Sequence, residues 1–297
     1  MKSDTWQVTG DRMKGAARKA HSCHASRFTF HAPAFTIIEL LVVISILGIM
    51  AGLTVPVLKN FAKSDATLGA SRQLLDGVAR ARQLAISQRT TVYMVFVPSN
   101  FWVVDGTGPE PTWWHSLTPA LQTAVTNLAG RQLSGYNFLA HGAMGDQPGQ
   151  HAWHYLAPWQ SLPDGTFIAY QKFAQSPANF YTIANCDIYG FATNAIPFPT
   201  ATNTSLMFPC LAFNYLGQLT VDGQTVAGRD EYIPLAHGSV LAEKDPVTKV
   251  LLLPVAPPIP NSPNVSEMPP GNSVNSYNIV HIDRLTGRAV LEYQKVQ

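Results

Sequence analysis

Between Phe35 and Leu58 the chain reads FTIIELLVVISILGIMAGLTVPVL, 24 residues carrying a single charge, Glu39. At ~1.5 Å rise per residue such a run makes a helix of ~36 Å, enough to cross a hydrocarbon core of ~30 Å with some tilt. The expectation is a membrane-spanning helix over residues 35–58. Lys2, Arg12, Lys14, Arg18, Lys19 and Arg27 precede it against only Asp4 and Asp11, and the bulk of the chain follows it. The positive-inside rule then leaves residues 1–34 as a basic cytoplasmic leader and sends the C-terminal part outward. A secretory signal has the same basic front, but its apolar run is roughly 7–15 residues long and ends at a small-residue cleavage site. Gly48, Ala51 and Gly52 are small, yet the apolar run continues past them to Leu58.

Glu39 is the informative residue of this stretch. A carboxylate deep in a bilayer costs about 2.5–3.5 kcal/mol on insertion scales unless something pairs with it. No basic residue lies between Phe35 and Leu58. The carboxylate therefore either meets a partner from outside, such as the free amine at the start of a neighbouring copy of the helix, or snorkels to the interface one turn from the helix start.

The string Ala34, Phe35, Thr36, Ile37, Ile38, Glu39, Leu40, Leu41, followed by an apolar helix, resembles the type IV prepilin cleavage and methylation motif. The resemblance implies that a prepilin peptidase/N-methyltransferase cuts between Ala34 and Phe35 and methylates the new Phe35 amine. It also implies that Glu39 supports assembly with other pseudopilins or pilins, at the bacterial inner membrane. In that picture the chain is single-pass, with its C-terminal head in the periplasm or on a filament. Gly48 and Pro56 fall where many family members have a small residue and a helix-bending proline. Ala34 departs from the usual Gly, and the leader is longer than typical, with Met13 offering a later start.

The composition is that of a folded protein: 46% hydrophobic and 13% charged over 297 residues argue against a disordered, solvating chain. The formal charge of +2 is misleading, because residues beyond 34 hold 14 basic and 16 acidic side chains. After Pro56 the spacing of Leu68, Leu74, Leu75, Val78, Ala81 and Ala85 predicts an amphipathic helix over 59–89. A β-rich head then occupies 90–297. It opens with TVYMVFV (Thr91 to Val97), a PSN turn and FWVVDG to Gly106, read as a hairpin. Residues 107–165, rich in Gly, Pro, Trp and His, read as an insertion, with a short helix around Pro119 to Leu128. Further strands are expected at 166–173, 180–189, 206–215, 218–221, 231–235 and 240–243. A Pro-rich loop over 254–270 follows, and a closing hairpin in NIVHIDRLTGRAVLEY turns at Leu285 to Gly287. The fold class expected is α+β: a long N-terminal membrane-spanning and amphipathic helix packed on an antiparallel sheet.

This order also resembles the minor pseudopilins of the type II secretion H class and the related FimT group. The matching stretches are LLDGVARARQLAISQRTTVYM, LAFNYLGQL and IVHIDRLTGRAVL. The expanded head and long leader are similar to the prepilin-like Verru_Chthon cassette proteins. The function these resemblances imply is that of a structural filament subunit. The alternatives are a filament-tip binding module, either DNA-uptake pilin or adhesin, and an anchored periplasmic enzyme.

The residues give little support for catalysis. The chain has no Walker loop, no GxGxxG after a strand, no GxSxG and no HExxH. His115, His141, His151 and His154 lack an acidic partner at metal-site spacing, so neither metal nor cofactor is expected. Trp102, Trp113, Trp114, Trp153 and Trp159 read as core or subunit interface, with a stacking platform for sugars or protein as the alternative. Arg284, Arg288 and Lys295 are too few on a slightly acidic chain to make nucleic acid an expected partner. Cys186 and Cys210, if exported, either pair in an oxidising compartment or stay as two buried thiols.

Overall fold

The structure, a computed structural model, describes residues 36–99, 101, 115–142, 146, 151–174, 176–183, 186–241, 244–248, 264–275 and 278–293. It divides into two units, residues 1–54 and 55–297. The elements are α1 (Ile37–Gln88), β1 (Thr91–Phe96), α2 (Pro119–Ala129), β2 (Gly135–His141), β3 (Trp153–Tyr155), β4 (Gln160–Ser161), β5 (Thr166–Ile168) and α3 (Tyr170–Ala174). They continue with β6 (Phe180–Ile183), β7 (Cys186–Tyr189), β8 (Ala192–Pro197), β9 (Ser205–Phe213), β10 (Leu219–Thr220), β11 (Glu231–Leu241), β12 (Asn264–Glu267), α4 (Asn272–Asn275), β13 (Asn278–Ile282) and β14 (Ala289–Tyr293).

The expected α+β chain with a membrane-spanning helix is corrected. The described chain is mostly β, in curled antiparallel sheet with few helices, and among the described residues no helix is long and apolar enough to cross a membrane. α1 runs from Ile37 to Gln88, and its later turns carry Arg72, Asp76, Arg80 and Arg82 while burying Leu74, Val78, Ala81 and Ala85 against the sheets.

Three antiparallel sheets make up the rest. The seven-stranded sheet runs β10-β9-β1-β2-β3, with β4 also on β2 and β8 also on β9; the five-stranded sheet runs β12-β11-β13-β14, with β5 also on β11; β6 and β7 form a hairpin. β1 is central and buried on both faces, which explains why TVYMVF is continuously apolar rather than alternating. Val92, Met94 and Phe96 join one core with Leu74, Val78, Ala81 and Ala85 of α1, and with Ile233, Leu235, Val280 and Ile282 of the second sheet. Tyr93, Val95 and Val97 face the opposite way, into a second core with Val125 and Leu128 of α2 and with Phe198 and Phe208.

Beyond Phe101, the second strand of the hairpin expected at 101–106 lies outside the described residues; β1 itself pairs with β2 along 91–96 and with β9 along 92–95. Residues 135–141, read as part of an insertion, are instead β2, next to the centre of the main sheet. The helix expected around Pro119 to Leu128 is present as α2, with Pro119 pre-set at the first turn. The two strands expected at 231–235 and 240–243 are one strand, β11, which changes ladder partner along its length. It pairs with β13 over 231–235, with β5 over 235–237 and with β12 over 238–241.

Candidate functional site

The sequence points to the start of α1, where Ala34 and Phe35 lie outside the described residues. Thr36 caps the helix. Its hydroxyl accepts the Glu39 N–H at 3.2 Å, while one Glu39 oxygen accepts the Thr36 N–H and the Thr36 hydroxyl at 2.9 Å each. This is a capping box, in which a Thr and the Glu three residues on satisfy each other's orphan groups. Glu39 thus has a partner inside its own helix, where the sequence reading sought one in a neighbouring copy or at an interface. The signal was legible, since Thr-x-x-Glu before an apolar run is the sequence form of the box. Behind it every large apolar side chain from Ile37 to Met50 is exposed, from 45% at Val43 to 87% at Ile37. A helix apolar on all sides is one that some other surface must cover.

At the other end of α1 the three stretches singled out in the sequence come together. The turn after β9 (Asn214 to Gln218) and the turn between β13 and β14 (Asp283 to Gly287) meet beside Arg82 and Ile86 of α1. Arg82 Nε donates to Thr286 O at 2.7 Å, and Leu219 N–H to Arg284 O at 3.0 Å. Each turn is closed by one side chain. Asn214 Oδ1 accepts from the N–H groups of Leu216 and Gln218, each at 3.0 Å. Asp283 Oδ1 accepts from the Thr286 N–H at 2.6 Å and hydroxyl at 2.8 Å, which holds the Asp283 carboxyl below its usual range. The turns touch backbone to backbone: a Cβ added to Gly287 would lie 2.0 Å from Gly217 O. Tyr215, Leu216 and Leu285 stand exposed at the tips.

Two polar clusters escaped the sequence reading, because their members come from distant segments with no motif spacing. In the first, His281 Nε2 lies 3.1 Å from Asp230 Oδ2 and Nδ1 lies 2.9 Å from Glu292 Oε1, with the ring stacked on Tyr232 at 4.5 Å. Each ring nitrogen of His281 thus faces a carboxylate oxygen. Cys186 Sγ donates to Glu292 Oε2 at 3.7 Å, and burial together with Glu292 pushes this thiol up. In the second cluster Lys172 of α3 is completely buried and meets Glu231 at the start of β11. Cys186 and Cys210 are both free, the first half-buried in the small hairpin and the second buried in β9, where burial pushes its thiol up to about 12.

The remaining sequence candidates disperse. His141 and His151 are neighbours with ring centroids 5.5 Å apart, whereas His154 pairs with Asp146 at 3.1 Å. Among the described residues no group of three or more His, Cys, Asp or Glu is placed to hold a metal ion. Trp153 packs on Tyr93 and His141 at 5.2 and 4.5 Å, and Trp159 on Phe198 at 6.1 Å, so both serve the second core. Trp102, Trp113, Trp114 and Lys295 lie outside the described residues. Arg284 donates to Ala227 O and Gly228 O at 3.3 and 3.1 Å. Two grooves mark the surface of the β-rich unit. One, of about 410 Å³, lies beside α1 and is lined by Arg72, Gln73, Asp76, Arg80 and Tyr136; the other, of about 340 Å³, lies beside α2 and is lined by Asn127, Arg131, Pro158, Trp159 and Phe198.

Compared with protein-family models, curated proteins and solved structures, the chain matches none of them.

Proposed function

We propose that the chain is a structural subunit of a type II secretion or type IV pilus-like filament, cut by prepilin peptidase between Ala34 and Phe35 and N-methylated on Phe35. The observation that carries this reading is the start of α1: an exposed, all-round apolar helix beginning two residues after the motif's Phe, with Glu39 folded into its cap. In a filament such a segment is covered by the same segment of neighbouring subunits, with other pseudopilins or pilins as the partners. The apolar area, rather than any polar site, supplies the association energy, at about 25 cal/mol per Å² covered. The β-rich unit then presents surface to its surroundings.

A filament-tip binding module is the second reading, favoured by the groove in which Trp159 and Phe198 stand beside Arg131 and Asn127. Glycan binding fits that groove better than DNA, since Arg131, its one cationic lining residue, is engaged by Trp159 O at 2.6 Å.

Co-expression with a prepilin peptidase, followed by N-terminal sequencing and intact mass, tests the first reading. It expects a chain starting at methylated Phe35. A chain that stays uncut beside an active peptidase, or is cut elsewhere, sinks it.

A further inference from the structure

We propose that Lys172 and Glu231 are a modification site, at which the lysine amine and the glutamate carboxyl condense into an intramolecular amide that cross-links α3 to β11.

Lysine is among the residues least often fully buried, and it is retained in an interior only when paired. Lys172 is 0% exposed, its Nζ donates to Tyr189 O at 2.6 Å and to Glu231 Oε1, and it sits 4.7 Å from the centre of the Phe191 ring. Phe191 is itself walled in by Phe96 and Phe173, with ring centroids 4.7 and 5.2 Å away. The second cation of the neighbourhood, Arg229, is turned outward over the Tyr189 ring at 3.6 Å and donates to Pro177 O. The amine and the carboxyl are therefore held against each other in an apolar pocket. The carboxyl side alone opens to solvent, at 16% exposure of Glu231.

Burial lowers the pKa of Lys172, and a desolvated lysine amine is an activated nucleophile. Transfer of one proton from the ammonium to Glu231 along their hydrogen bond gives a free amine facing a carboxylic acid. Nζ attacks Cδ, the new C–N bond forms, and the bond from Cδ to the hydroxyl oxygen breaks. That hydroxyl takes one Nζ proton and leaves as water through the exposed edge of Glu231. No oxidant, reductant or activating group is consumed. Reacting groups fixed in one orientation have effective molarities of about 10⁵–10⁸ M, which favours amide over hydrolysis here as it does not between free molecules. The product keeps one N–H on Nζ, and Tyr189 O is placed to accept it. The bond joins residues 59 apart in sequence, across the stretch that holds β6 to β10.

The test is the mass of the full chain, expressed without a prepilin peptidase so that N-terminal processing does not enter. Under denaturing conditions the intact chain is expected to be lighter than its sequence by one water. Trypsin is expected to leave residues 132–229 uncut at Lys172 and joined to residues 230–244 as a branched peptide, because an acylated lysine is not a cleavage site. In Lys172→Arg the water loss and the branch both vanish. An intact mass equal to that of the sequence, with cleavage after Lys172, overturns the proposal, as does a water loss that persists in Lys172→Arg.

Discussion

Replacing Gly287 with Ala is expected to loosen the junction where the two turns meet α1. Gly287 has φ +61, a left-handed conformation that costs an alanine roughly 1 kcal/mol more than a glycine. The added Cβ would also stand 2.0 Å from Gly217 O and 3.2 Å from Phe213 Cε1. The first contact is backbone and has no rotamer to yield, so one turn must shift by an ångström or more. That movement breaks the Arg82 to Thr286 and Leu219 to Arg284 hydrogen bonds, each worth about 1 kcal/mol net. The loss should therefore total about 3 kcal/mol. Urea unfolding of the full chain in detergent, followed by tryptophan fluorescence, measures it as a lower midpoint at unchanged slope. Gly228→Ala is the control, since nothing lies within 4 Å of the Cβ it would gain and its φ is ordinary; it should change stability by no more than about 0.5 kcal/mol. A Gly287→Ala chain within 0.5 kcal/mol of the parent would refute the account of this junction.

Three further outcomes are expected. Glu39→Gln keeps a side chain that can serve the capping box, while Glu39→Ala does not; filament co-purification should fall in both if the charge drives assembly and only in Glu39→Ala if the cap does, and normal assembly of both variants removes Glu39 from either role. Leu74, fully buried where α1 meets the main sheet, should cost about 2–5 kcal/mol on replacement by Ala, read by the same urea titration. Cys210 should resist maleimide in the native chain when Cys23 is Ser, because a thiol held near 12 carries about 10³-fold less thiolate than a free one. Its folded pKa lies above the unfolded value, so the linked stability is complete below about pH 9 and is lost towards pH 12, by about 1.4 kcal/mol per pH unit, visible as an alkaline fall in melting temperature.

What the sequence made legible was periodic and local. The apolar face of Leu74, Val78, Ala81 and Ala85 is buried as its spacing requires, and the Pro119 helix and the Leu285 to Gly287 turn stand where their local signals place them. The misses were matters of partnership. GYNFLAH has no alternation because β2 is buried on both faces, so beside so much Gly, Trp and His it carries no period-2 strand signal. β8 carries no strand signal in the sequence, since Ala, Thr and Asn dominate it, and the ladder with β9 rather than propensity holds it. The Lys172 and Glu231 pair could not be seen at all, since nothing in the sequence marks two residues that only the meeting of α3 and β11 brings together.

The capping box changes what Glu39 can be asked to do. A carboxylate stranded in an apolar helix would drive assembly by itself, because any neighbouring amine would relieve it. Glu39 is not stranded: Thr36 supplies both a backbone and a hydroxyl donor. A neighbour's amine must therefore displace or share those donors, and the electrostatic gain on assembly is only the difference between the two arrangements. What remains to favour association is the apolar surface from Ile37 to Met50, which no donor within the chain can satisfy. If the chain assembles as proposed, the apolar segment would set how strongly subunits associate and Glu39 the register in which they do so, since a charge that is tolerated unpaired yet better paired across copies discriminates between alignments more than it adds affinity.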